Sequence, residues 1–369
     1  MFITSQLRSA GVAMVRLTRV QQQARTRAAV LAAAREEFAE HGFLPAKVDR
    51  IAERAELTRG AVYSNFPSKR ALYLAVLIDL VEKASEPRAT VSPTSRVDSL
   101  GVFARVWLER LPLVGDPAPG GRLRLRSLAG VFEDERGPAV LAQLARLEAL
   151  LLAIALERGA PVRRVRLAEL VLTMLDGAGH RAETSPGFGD PFDVAHACRH
   201  MAEIALEDTW APPHLPYVAP ARTCSDAWTA PEGLVDQISG ERVDLTNGLV
   251  VVLGASRLGA AEEAVRSAKP GEQVTLAVVT GDQEETGRLV RLRVTDAVGC
   301  LRRVFAPEVW QHVRLVLDDD ALVASSIGLA DPGDDTESAV SVRDGVIVAR
   351  AHGRGAGYAA GARRREATQ

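Results

Sequence analysis

The stretch Thr58-Arg59-Gly60-Ala61-Val62-Tyr63-Ser64-Asn65-Phe66-Pro67-Ser68-Lys69-Arg70 gathers hydroxyls, cations and one glycine at the starts of two short segments. Thr58 reads as the N-cap of one short helix, and Ser68, after Pro67, as the N-cap of the next. An amphipathic segment near Val48–Ala55 precedes them, so two short helices meet at a tight turn. A helix that opens on polar groups can present its N-terminal residues to base edges in a major groove, while neighbouring helix N-termini and cations hold phosphates. Val62 and Phe66 fall on the inward face with Ile51 and Leu72 and are expected in the core.

Other groups with chemical potential are weaker. His196 and His200 are four apart with Glu203 three further, a spacing that suits a metal on one helix face. However, Val194, Ala197 and Met201 form the apolar stripe, which leaves the histidines on a solvated or dimer-rim side, and no metal is assigned. Cys198, Cys224 and Cys300 are widely spaced and odd in number, so they make neither a disulfide framework nor a zinc pattern. The loop between Gly254 and Gly259 lacks a Lys-Ser/Thr pair and fits no dinucleotide fingerprint. No cofactor is expected.

The elements that must carry these residues follow from periodicity. Helices are expected over 25–41, 48–55, from Thr58, and from Ser68 to about Lys83. After a hydroxyl- and proline-rich linker at 85–95, helices resume near 97–111, 122–132, 138–158, 163–178 and 191–207. A proline-dense segment at 211–233 reads as an interdomain linker. Strands then alternate with helices: strands at 249–253, 274–280, 313–317 and the "AVSVRDGVIVAR" run, whose Asp344-Gly345 signals a hairpin, and helices near 258–268, 288–305 and 321–327. The expected fold is multidomain. A flexible basic arm (1–24) leads into an all-α helix-turn-helix domain (25–84) and an all-α ligand-binding and dimerisation domain (97–210). The linker and an α/β domain (234–358) follow, with a disordered tail (359–369).

Charge is unevenly distributed along the chain. Residues 1–83 hold 13 Lys and Arg against 8 Asp and Glu, and residues 234–358 hold 13 against 19, so a polyanion is expected to bind at the front. No apolar run approaches the roughly 20 residues that cross a bilayer, so no membrane partner is expected and a cytoplasmic location is. The acid-free beginning, "MFITSQLRSAGVAM", is read as an upstream extension or loose arm, with Met14 as the start. Arg16, Arg19, Arg25 and Arg27 are either minor-groove or phosphate contacts or solvated.

On "GFLPAKVDRIAERAELTRGAVYSNFPSKRAL", residues 25–83 resemble the DNA-binding domain of the tetracycline-repressor (TetR) family. The pattern is glycine and aromatic, then Ile-Ala, then Tyr-x-x-Phe, then Lys and Leu. The resemblance implies that Thr58, Arg59, Gly60 and Ser64 face the groove, with Gly60 letting the backbone come close. It implies phosphate contacts from Tyr63, Lys69 and Asn65. Lys47 stands near a position where the family usually has Thr and would supply a charge instead. The glycine common in the turn is Glu56 here. The implied function is a ligand-responsive repressor that binds a pseudo-palindromic double-stranded DNA operator as a homodimer and is released by a small-molecule effector.

The C-terminal region resembles thioredoxin-like or peroxiredoxin-like domains in its order of strands and helices. Those enzymes need a low-pKa thiolate at the end of the first core strand. This chain has Ser256, Leu258 and Gly259 there and no CxxC. The expectation is a redox-dead domain and no enzyme activity. The alternatives are a redox or ligand-binding enzyme carried by this domain, or a module that binds a partner.

Overall fold

Helix α1 (Arg19–His41) starts earlier than periodicity suggests, because Thr18 caps it. Thr18 accepts from the Gln21 amide, and the Gln21 side-chain oxygen in turn accepts from the Thr18 amide. The computed structural model describes residues 18–84, 95–111, 123–132, 134, 136–158, 162–206, 208–209, 212 and 214–366. Of the expected basic arm, residues 1–17, with Arg16 and Met14, lie outside the described residues, and 18–24 are cap and helix rather than arm. The linker residues 85–94 also lie outside them.

Helices α2 (Val48–Arg54), α3 (Arg59–Asn65) and α4 (Lys69–Ala84) follow α1. Their common core is Val30, Ala34, Phe38, Ile51, Val62, Phe66 and Leu72, all essentially inaccessible. Phe38 meets the Tyr73 ring edge-on at 4.9 Å, which locks α1 to α4. The body comprises α5 (Arg96–Leu108), α6 (Arg136–Glu157), α7 (Val165–Thr184) and α8 (Pro191–Met201). The helix expected over 122–132 does not form. After Arg124 the chain turns, with Arg126 at φ +53° and Gly130 at φ +68°, both outside the helical region.

A second correction concerns α6, which is long and apolar enough by length and composition to cross a membrane, contrary to the reading of the sequence. Its apolar residues are buried against α7 on one side and the C-terminal domain on the other, which is why it is hydrophobic nearly all round.

The C-terminal region is an α/β domain on one six-stranded mixed sheet, in the order β1-β6-β5-β2-β3-β4. Strands β2 (Gly248–Gly254), β3 (Val274–Val279) and β4 (Val313–Leu317) are parallel. Helices α9 (Ala261–Ser267) and α10 (Arg288–Arg302) connect them. Strands β5 (Glu337–Arg343) and β6 (Val346–His352) form an antiparallel hairpin beside β2. Its turn has Asp344 at φ +50° and Gly345 at φ +73°, the double left-handed geometry that an Asp-Gly pair favours. Between β4 and β5 lies the short α11 (Leu322–Ser326).

Two expectations fail at the edges of this domain. Part of the 211–233 linker is β1 (Arg222–Ala227), paired antiparallel with β6; its prolines flank the strand, where no ladder hydrogen bond is lost. The tail expected to be disordered from 359 is helical to Glu366 as α12 (Ala356–Glu366). The Glu337 carboxylate accepts from the Gly355 amide (2.5 Å) and the Ala356 amide (3.2 Å) at the start of α12. Gly361 lets the helix lie directly on Ser267, where a Cβ would overlap the hydroxyl.

Alternation on β2 divides the sheet between two cores. Val250 and Val252 pack with Val323, Ile327 and Val340 on one face. Leu249, Val251 and Leu253 join a cluster that runs without interruption through the helical body to Val30 and Phe38 in the head. The C-terminal domain is therefore built into the body. The buried Trp310 donates its indole N–H to the Leu151 carbonyl at 2.9 Å, and Arg266 forks onto Glu157 at 2.7 Å through both terminal nitrogens.

Candidate nucleic-acid interface

Helix α3 is set by its two ends and its inner face. Thr58 accepts from the Ala61 amide at 3.2 Å, so its hydroxyl is the N-cap. Val62 and Phe66 anchor the inner side. At the C-terminal end, Arg27 donates to the Asn65 carbonyl at 3.1 Å and lies 4.2 Å from the Phe66 ring centroid. Arg27 is thus a brace inside the head, not part of a basic arm. The turn before α3 is closed by Glu56 at φ +57°, so the glutamate adopts the left-handed conformation that glycine takes more readily.

The outward face of α3 carries Arg59, Gly60, Tyr63 and Ser64, all exposed beside the exposed Thr58. Arg59 is 3.3 Å from Asp49 on α2, with its guanidinium 5.5 Å from the Tyr63 ring centroid. Ser64 donates to the Ala61 carbonyl at 2.9 Å. A Cβ on Gly60 would meet nothing nearer than 3.8 Å, and Gly60 is not among the positive-φ glycines. No internal constraint requires a glycine there.

The other sequence-derived positions are more mixed. Lys47, exposed ahead of α2, uses its amide on Glu37 at 3.0 Å. Lys69 points its ammonium at the Leu44 carbonyl (3.0 Å) and over the Phe43 ring (4.8 Å), and burial lowers its pKa. The half-buried Asn65 donates to the Ala61 carbonyl at 2.9 Å. Lys69 and Asn65 are therefore engaged internally, whereas Arg59, Gly60, Tyr63 and Ser64 form one open face.

Two clusters with metal-type donors lie away from this face. Glu37, Glu40 and His41 bring ligand atoms together, but Arg50 and Arg54 already hold both glutamates, at 2.7 and 2.5 Å. On α8 the exposed His196 and His200 rings approach to 2.9 Å between Nε2 atoms, and His200 Nδ1 is 3.7 Å from Glu203. Sequence reasoning missed the contact behind the interface. Ser68 donates to Glu285 at 2.5 Å and Arg70 pairs with the same carboxylate at 2.9 Å. The two partners are more than 200 positions apart in the chain, and no local pattern signals the pair.

Known proteins resemble this chain in sequence over the head. The family described as bacterial regulatory proteins, tetR family, matches residues 30–76. The HTH-type transcriptional regulator TtgR of Pseudomonas putida is 34% identical over 96 residues, 26% of this chain and 45% of that protein. The alignment thus spans less than half the length of this curated relative. Among solved structures, SmeT, the repressor of the Stenotrophomonas maltophilia multidrug efflux pump SmeDEF, is 25% identical, with a TM-score of 0.32 over 48% of this chain and 90% of that one. NalD, the secondary repressor of the MexAB-OprM multidrug efflux pump in Pseudomonas aeruginosa, is 22% identical, with a TM-score of 0.33 over 49% of this chain and 96% of that one. Within residues 30–76, two short helices joined at Glu56 thus form a helix-turn-helix segment that matches the DNA-binding domain of the TetR family of transcription regulators.

Proposed function

We propose that the chain is a ligand-responsive transcriptional regulator, acting as a repressor, that binds a pseudo-palindromic operator as a homodimer. The observation that carries this reading is the open face of α3, with a glycine for which nothing inside the protein accounts. In this reading Thr58, Arg59, Gly60 and Ser64 meet the groove, Tyr63 and Lys47 meet phosphates, and Lys69 and Asn65 do so only after leaving their internal partners. Exposed apolar side chains on and near α7 and α8, namely Leu170, Met174, Phe188 and Ile204, favour pairing of two copies through these helices. Two heads would then address grooves one helical turn apart, about 34 Å. An effector releases the operator only if it binds the released state more tightly than the DNA-bound one.

Retardation of DNA from the region upstream of the gene tests the reading. Tyr63→Phe is expected to weaken binding to all sequences about equally with the salt slope unchanged, because the phenol carries no charge, whereas Lys47→Ala is expected to reduce the slope by up to about one unit. Arg59→Ala is expected to change sequence preference. A pure dimer that retards no DNA at low salt sinks the proposal.

We read the C-terminal domain as thioredoxin-like in ancestry and not catalytic. The order β4-β3-β2-β5-β6, three parallel strands followed by an antiparallel hairpin, supports that likeness. Where an enzyme of that kind needs its thiolate, the Gly259 amide donates to Gln143 of α6 at 2.8 Å, so the body covers the position. Cys300 is buried beside Arg110 instead. Disulfide-reductase turnover that Cys300→Ser abolishes would overturn this reading.

A further inference from the structure

A cavity of about 1060 Å³ lies where the head, the helical body and the C-terminal domain meet. Leu80 of α4, Val106 and Leu108 of α5, and Leu111 and Leu123 beyond it give the cavity apolar walls, and Gly299 and Cys300 of α10 close it. Its size is that of a small-molecule site.

Among the described residues of its walls, guanidiniums outnumber carboxylates: Arg35, Arg105, Arg110, Arg126 and Arg303 stand with Glu109 and Asp296. One carboxylate, Glu109, is already held by Arg303 through bonds of 2.6 and 2.9 Å. The other, Asp296, is shared. Arg110 reaches it at 2.8 Å and Arg126 pairs with its second oxygen, so two guanidiniums face one buried carboxylate. Arg110 is fixed further by the Trp107 carbonyl (2.9 Å), the Trp107 ring (4.0 Å) and Cys300 Sγ (3.3 Å). The adjacent Arg293 is already paired with Glu148, at 2.8 and 2.6 Å, and Asp176, which also acts on this group, is exposed.

Burial and the Arg110 charge lower Arg126 to about 10. Two largely buried guanidiniums share Asp296, and the exposed Asp176, which also acts on Arg110, is screened by solvent, so an incoming anion would offset the remaining positive charge.

We propose that this cavity binds an amphipathic organic anion, with its acidic group on Arg126 and Arg110 and its apolar body against Leu80, Val106, Leu111 and Leu123. The inference rests on the regulator reading only in naming this ligand the effector. The cavity joins α10 of the C-terminal domain to α1 and α4 of the head, so occupancy bears on the angle of the head.

Two fluorescent probes that share one aromatic skeleton test it on the full chain: 1-anilinonaphthalene-8-sulfonate and the neutral N-phenyl-1-naphthylamine. The sulfonate is expected to bind once per chain and at least about ten-fold more tightly than the neutral probe. Arg126→Gln is expected to remove that advantage while leaving the neutral probe's affinity within about two-fold. If Arg126→Gln loses its near-UV spectrum, Arg105→Gln on the exposed rim replaces it, with an expected loss of roughly two- to five-fold for the sulfonate alone. Equal affinity for the two probes, or a sulfonate affinity unchanged in the folded variants, overturns the proposal. DNA retardation on the same preparations keeps the two readings apart. Charge selectivity without retardation sinks the regulator reading alone, and retardation without selectivity sinks this site alone.

Discussion

At the residue scale, two positions in the head carry opposite kinds of backbone logic. Gly60 has ordinary helical backbone and open space where a Cβ would go, so Gly60→Ala costs the fold nothing and adds helix propensity of about 0.5–1 kcal/mol. The expected result is an unchanged or higher denaturation midpoint with operator affinity at least about ten-fold weaker, because a methyl group would stand between the helix and the DNA. Unchanged affinity would remove the argument that Gly60 faces the groove. Glu56 is the reverse case, a side chain in left-handed backbone. Glu56→Gly is expected to stabilise the head by about 1 kcal/mol in urea unfolding, since the left-handed cost exceeds the entropy that glycine adds to the unfolded chain.

At the element scale, α3 is short and depends on neighbours on both sides. Phe66 and Val62 hold it from below, and Phe66→Ala is expected to destabilise the head by about 3–5 kcal/mol. The next helix, α4, begins in the grip of Glu285, which receives Ser68 from the turn that follows α3 and Arg70 from the first turn of α4. Arg288 adds its guanidinium 5.6 Å from the Phe66 ring. These charges are part-exposed, so Glu285→Gln is expected to cost only about 0.5–1 kcal/mol overall. Its effect should be local: amide exchange over 58–72 rises several-fold while that of α6 does not change. Equal exchange in both segments would mean that Glu285 does not restrain the head. On α8, burial raises the Cys198 thiol to about 11. In native protein at pH 8, Cys198 is therefore expected to react with a thiol reagent far more slowly than the half-buried Cys224.

At the scale of the whole molecule, the C-terminal domain completes the body. Helix α6 has one side for α7 and another for the sheet domain, with Trp310, Arg266 and Arg293 reaching across to Leu151, Glu157 and Glu148. A chain cut after residue 210 would expose that second apolar side and leave the two glutamates without their arginines. It is expected to self-associate in sizing experiments and to unfold at lower temperature than the full chain. A dispersed fragment with an unchanged midpoint would show that the domain is dispensable to the body.

Short-range patterns let the sequence by itself determine the head. Caps at Thr58 and Ser68, the inward Val62 and Phe66, and the order of polar groups between them are local features that local physics fixes. Alternation and the Asp-Gly turn likewise made the sheet domain legible. The expected edges failed where distant partners decide the outcome. The strand in the proline-dense segment forms because β6 offers it a ladder, and the last helix forms because Glu337 caps it and Ser267 receives it. Only the tertiary structure brings Glu285 to Ser68, covers Gly259 with Gln143 and sets Arg110 and Arg126 on one Asp296. Such contacts join residues tens to hundreds of positions apart. They depend on how whole faces pack, which no window of sequence contains.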